Sequence, residues 1–183
     1  MNRFSFLILA YGCSGATNIK DTETDETVIP SEPLDTEPST PTDTEEFGLQ
    51  INEVLSKSDQ DIPDWIELTN TSAESISLSG YQLTDDYGSD TPWVFPESTE
   101  LEAGQFLIVW ADDGETTQEE LHTDFKLSAD GETLTLLDEE GEVVEEIAFP
   151  ELEPDTSYGR VEDGTEWAVF AVPTQGSTNG SPE

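Results

Sequence analysis

Carboxylates dominate the chemistry open to this chain: 43 of its 183 residues are Asp or Glu against 5 Lys or Arg, a formal net charge of -38. Two glutamates stand inside apolar stretches, Glu53 in Ile51-Asn52-Glu53-Val54 and Glu67 in Trp65-Ile66-Glu67-Leu68. A general acid and base could work there as a pair, with burial raising one pKa. The plainer expectation is that Glu67, alternating with Ile66 and Leu68, faces solvent, and that Arg160, the only cation late in the chain, forms a salt bridge with one of the two. His122 is the single histidine, and no Gly-x-Ser-x-Gly elbow accompanies it. It reads as a hydrogen-bonded strand residue rather than as the base of a nucleophilic triad.

Carboxylates also gather in turns: Asp59, Asp61 and Asp64; Asp85, Asp86 and Asp90; Asp112 and Asp113. Calcium takes about six to eight oxygens from loops of this kind, but none of these has the spacing of an EF-hand. Solvated turns are expected, with no cofactor and calcium as the alternative. Trp65, Trp93, Trp110 and Trp167 could stack on pyranose rings. Each stands among apolar neighbours, so core positions are expected, with Trp93, beside Pro92, as the exception.

The same counts exclude several classes. Nucleic-acid readers neutralise phosphates with clustered Lys and Arg, and Arg3, Lys20, Lys57, Lys126 and Arg160 are too few and too scattered for a basic patch. Anionic lipid headgroups are repelled for the same reason. With one cysteine, Cys13, an intrachain disulfide is impossible, and one Cys with one His falls short of a structural zinc site.

The N-terminus reads Met1-Asn2-Arg3, an apolar run from Phe4 to Ala10, then Tyr11-Gly12-Cys13-Ser14. A basic start, an apolar stretch and small residues are the parts of a secretory signal, and the run is far short of the roughly 20 residues that span a bilayer. Ala10-Tyr11-Gly12-Cys13 resembles the lipobox of bacterial lipoproteins, with Ala10 where that motif most often has Leu. The resemblance implies a signal over 1–12 and lipid attachment at Cys13. Residues 13–46 form an acidic Thr/Pro-rich tether containing Pro30, Pro33, Pro38 and Pro41. Such a composition buries too little apolar surface to fold and reads as an extended spacer; a glycosylated stalk is the alternative.

After Phe47, short apolar runs alternate with turn residues. Strands are expected near Gln50 to Val54, Trp65 to Asn70, Ile76 to Leu83 with a break at Gly80, Trp93 to Phe95, Phe106 to Trp110, Leu121 to Phe125, Thr133 to Leu137, Val143 to Phe149, Tyr158 to Val161 and Trp167 to Phe170. Phe106 to Trp110 is apolar on both faces, as a central strand covered on both sides would be. Asp138-Glu139-Glu140-Gly141 joins two strands as a hairpin.

Ile51-Asn52-Glu53-Val54, Asp64-Trp65-Ile66-Glu67-Leu68-Thr69-Asn70, Leu78-Ser79-Gly80-Tyr81-Gln82-Leu83-Thr84-Asp85-Asp86, Trp93-Val94-Phe95-Pro96, Leu127-Ser128-Ala129-Asp130-Gly131-Glu132, Ser157-Tyr158-Gly159-Arg160 and the closing Pro173-Thr174-Gln175-Gly176-Ser177-Thr178-Asn179 resemble the successive motifs of the lamin tail domain family. The resemblance covers about Leu49 to Asn179. It implies an all-β, immunoglobulin-like β-sandwich over 47–183 used as a non-catalytic binding or structural module. The heptad rod of nuclear lamins and a basic chromatin-facing surface are both missing here, so nuclear roles do not carry over.

The expectation is therefore a monomeric, non-enzymatic module anchored by lipid in the bacterial cell envelope, at the outer membrane or cell surface, or else secreted. It would contact an envelope or extracellular protein or glycan through a face or edge of the sandwich. A carboxylate-dependent hydrolase and a calcium-dependent adhesion module are the rivals.

Overall fold

The structure, a computed structural model, describes residues 48–182 except Ser89 and Gln118. Cys13, the signal and the tether lie outside the described residues. The elements are strands β1 (Leu49–Leu55), β2 (Trp65–Asn70), β3 (Ile76–Ser77), β4 (Gln82–Thr84), β5 (Trp93–Val94), β6 (Glu100–Leu101), β7 (Phe106–Trp110), β8 (Leu121–His122), β9 (Gly131–Leu137), β10 (Val143–Pro150), β11 (Ser157–Arg160) and β12 (Trp167–Phe170), with one 3-10 turn at Val161–Asp163. They form an all-β, immunoglobulin-like sandwich. A six-stranded sheet runs β12-β11-β1-β2-β7-β8, a four-stranded one β10-β9-β4-β5, and β3 pairs with β6.

The core lies between the two larger sheets. Val54, Ile66 and Val109 stand opposite one another across β1, β2 and β7 and are fully buried with Ile51 and Leu68 against Leu83, Leu134, Leu136 and Phe149 of the other layer. Successive side chains on a strand point to opposite faces, so Glu67 and Trp65, between these positions, belong to the other face of the six-stranded sheet. The expected hairpin is β9–β10, antiparallel throughout; Gly141 turns it with φ +82, a conformation glycine adopts without steric cost.

Several strands differ from expectation. Ile76 to Leu83 is two strands in different sheets, β3 and β4. Glu100–Leu101 adds a strand that its two-residue length hides from any period. Leu121 to Phe125 pairs only at Leu121–His122, because Thr123 turns the chain by donating its hydroxyl to the Phe125 carbonyl at 2.8 Å. β7 is therefore not a central strand covered on both sides: its outer neighbour β8 spans two residues, and of β7 only Val109 is fully buried.

β1 carries a bulge. Its pairing with β2 shifts between Ile51 and Glu53, and an extra residue in one strand lets two neighbours share a face. Ile51 stays in the core while both Asn52 and Glu53 turn to the outer face.

Candidate functional site

The outer face of the six-stranded sheet holds a buried carboxylate cluster. Glu53 and Glu67 are directly opposite each other across β1 and β2, and both are fully buried. Period two assigned Glu67 to the correct face, but that face does not meet solvent: the C-terminal segment 173–179 lies over it.

The protein itself supplies donors to all four carboxylate oxygens. Glu53 Oε1 accepts the Ser157 hydroxyl and shares the Thr174 amide, 3.1 Å from each carboxylate oxygen; the Thr174 hydroxyl donates to Oε2 at 2.9 Å. Glu67 Oε1 accepts the Asn52 side-chain amide at 2.9 Å, and its Oε2 accepts the Gly176 amide at 2.6 Å. Asp163, at the end of the 3-10 turn, accepts the same Asn52 amide group at 3.3 Å and the Asn179 backbone N–H at 2.8 Å.

Asn179 closes the segment, donating to the Arg160 carbonyl at 2.8 Å and the Asn52 carbonyl at 3.3 Å. Gly159 makes this approach possible, since a Cβ there would sit 2.8 Å from Asn179 Nδ2 and 3.1 Å from Glu53 Cγ. Asn52 Oδ1 is buried with no hydrogen-bond partner.

Burial pushes the Glu67 carboxyl up to about 7, the charges of Glu53 and Asp163 adding to it and the bonds from Asn52 and Gly176 opposing it. The desolvation cost of the charged form outweighs those two bonds.

Arg160 pairs with neither candidate glutamate. It forms an ion pair with Glu145 of β10, while its Nε donates to the Ile51 carbonyl at 2.8 Å and an Nη to the Gly164 carbonyl at 2.8 Å. Glu145 in turn accepts the Ile51 amide at 2.7 Å. β11 pairs with β1 only at Glu53 and Val54, so on that side of Ile51, whose other neighbour is Leu68 of β2, this ion pair takes the place of a strand. Burial raises the Glu145 carboxyl above its ordinary value even though Arg160 pulls it down.

The four tryptophans form no common platform. Trp65 and Trp110 are register partners on the outer face, Trp65 buried and Trp110 partly so. Trp93, the expected exception, is in the core, edge-on to Phe95 with ring centres 4.6 Å apart, because the β4–β5 pairing turns it inward. Trp167 stacks on Tyr158 at 5.1 Å and lies 4.9 Å from the Arg160 guanidinium carbon. These rings line a groove of about 200 Å3 beside Glu145, Glu146, Ile147 and Ala148 of β10.

His122 is hydrogen-bonded as expected, its Nδ1 2.9 Å from Asp112 Oδ1. Asp59, Asp61, Asp86, Asp90 and Asp113 are exposed, Asp64, Asp85 and Asp112 partly so. Among the described residues no group of three or more His, Asp or Glu side chains is placed to hold a metal ion.

The sequence model of the Lamin Tail Domain matches residues 43–151, more than half of the chain. The chain belongs to the lamin tail domain family. No curated protein matches it. In this lamin tail domain β11, the 3-10 turn and segment 173–179, which complete the carboxylate cluster, lie beyond the matched span. Glu145 and Asp163 carry no mark of their own in the sequence, and the family motifs contain Ser157, Thr174 and Asn179 without marking them as partners of the two glutamates. The signal that could have found the last two is a seven-residue stretch, Pro173 to Asn179, rich in hydrogen-bonding groups and without one charge in a chain this acidic.

Proposed function

We propose that this lamin tail domain is a non-enzymatic binding or structural module, held at a bacterial cell envelope by a lipid on Cys13 and spaced from the membrane by residues 13–46. The observation that carries the non-enzymatic reading is the saturation of Glu53 and Glu67. All four carboxylate oxygens accept donors from the protein itself, and both residues are sealed from solvent. A hydrolytic pair needs a carboxyl that can reach substrate and water, so the one pair inside apolar strands is better suited to holding the fold together.

Contact with an envelope protein or glycan is assigned to the groove where Tyr158 and Trp167 meet the edge of β10. Aromatic faces beside carboxylates offer both stacking and hydrogen bonding. Proximity labelling on intact cells is expected to enrich one envelope component with the wild type and to lose that enrichment with Trp167→Ala; diffuse labelling by both would overturn the assignment. The anchor is tested separately. A radioactive fatty acid is expected to label the wild type and not Cys13→Ala, and label retained on the variant would reject Cys13 as the attachment point.

A further inference from the structure

Three carboxylates, Glu53, Glu67 and Asp163, share the outer face beneath segment 173–179 with no cation opposite them among the described residues. The groups facing Glu67 are Asn52 and Glu53 from β1, Ile108 from β7, Asp163 from the 3-10 turn and Gly176 from the C-terminal segment. That segment has no ionisable side chain. The guanidinium of Arg160 is spent on Ile51, Gly164 and Glu145. Only peptide and amide dipoles and hydroxyls hold these charges, and dipoles cannot cancel like-charge repulsion in a buried site as a cation would.

Protonation of Glu67 removes one of the three negative charges from this dry face, the form that burial and like-charge repulsion both favour. The proton goes to Oε1 at the cost of the bond from Asn52, whose amide group keeps Asp163, while Oε2 keeps the Gly176 amide and Asp163 keeps the Asn179 amide.

We propose that segment 173–179 is a pH-sensitive clasp: protonation of Glu67 holds it closed over the six-stranded sheet, and ionisation of Glu67 loosens it as the pH rises through neutrality.

The sign follows from linkage. Closed, the Glu67 carboxyl sits at about 7; open to water it returns towards the ordinary value for a glutamate, about 4.3. A group raised in the closed state contributes its full stabilisation below the open-state value and loses it as the pH rises through the closed-state value. Between pH 5 and 8 the ratio of open to closed segment is expected to grow by up to about 100-fold.

Amide hydrogen exchange on the full chain tests this. After correction for intrinsic rates, protection of the Thr174 and Gly176 amides is expected to fall tens-fold from pH 5 to 8, while core amides such as Ile66 change far less. Glu67→Gln, which keeps a carbonyl for Gly176 and removes the charge, is expected to remove the pH dependence and give the higher protection at pH 8. Equal slopes in the wild type and this variant, or equal slopes at Gly176 and Ile66, would overturn the clasp. Should the variant fail to fold, carbon NMR of the wild-type Glu67 carboxyl decides: a midpoint in the ordinary glutamate range, with Gly176 protected throughout, would overturn it equally.

Discussion

Arg160→Ala is expected to lower the unfolding free energy by about 3 kcal/mol, the low end of the cost of breaking a buried ion pair from one side, since Arg160 is buried and Glu145 partly so. The loss exceeds that of an ordinary surface pair because three things go together. Glu145 keeps its partly buried carboxylate without a counter-ion, the Ile51 and Gly164 carbonyls lose their donors, and the Trp167 ring loses the cation beside it. Urea unfolding measures it as a lower midpoint with unchanged slope. Glu145→Leu in the same background is expected to restore part of the loss by removing the stranded charge. Its own cost is the unpaired Ile51 amide, so recovery should be incomplete. A single variant within about 1 kcal/mol of wild type would mean that water reaches the pair freely and that its burial contributes little.

Glu53→Ala is the second large effect, also expected to cost about 3–5 kcal/mol, since each unsatisfied buried donor costs about 1–3 kcal/mol. Ser157 Oγ, the Thr174 amide and the Thr174 hydroxyl would all lose their acceptor. The direction contrasts with that of its neighbour. At pH 8 Glu67→Gln removes a charge from a site that resists it and should raise stability, while Glu53→Ala should lower it at every pH. Thermal melts of the two variants at pH 5 and pH 8 separate these outcomes, and a shift of the same sign for both at pH 8 would contradict the division of roles.

Much of the sandwich is legible in the residues because its strands are bounded by turn signals and alternate with period two. Trp65–Asn70 and Trp167–Phe170 begin and end where their apolar patterns do, and Asp138 to Gly141 turn a hairpin where a glycine permits it. Two-residue strands such as β6 and β8 carry no period and are visible only through their partners. The site was half visible. Glu53 and Glu67 stand out as charges among apolar residues, and alternation places Glu67 on the correct face. Whether that face is wet depends on a segment more than 100 residues away, which no local pattern reports. The bulge at Asn52 is hidden for a related reason, since a register shift belongs to a pair of strands and not to either one. Arg160 was expected to meet a glutamate and does, but Glu145 looks from sequence like any other acid of the β9–β10 hairpin.

The bonds that close the outer face also order events in time. Thr174 lies 121 residues beyond the Glu53 it caps, and Asn179 lies 127 beyond Asn52. Contacts that distant form slowly, because loop closure must precede any gain from them. In a chain delivered N-terminus first, the two buried acids of β1 and β2 wait uncovered until the last turn of the domain arrives. The hairpin of β9 and β10 can form early, while the outer face of the six-stranded sheet closes only once segment 173–179 is in place.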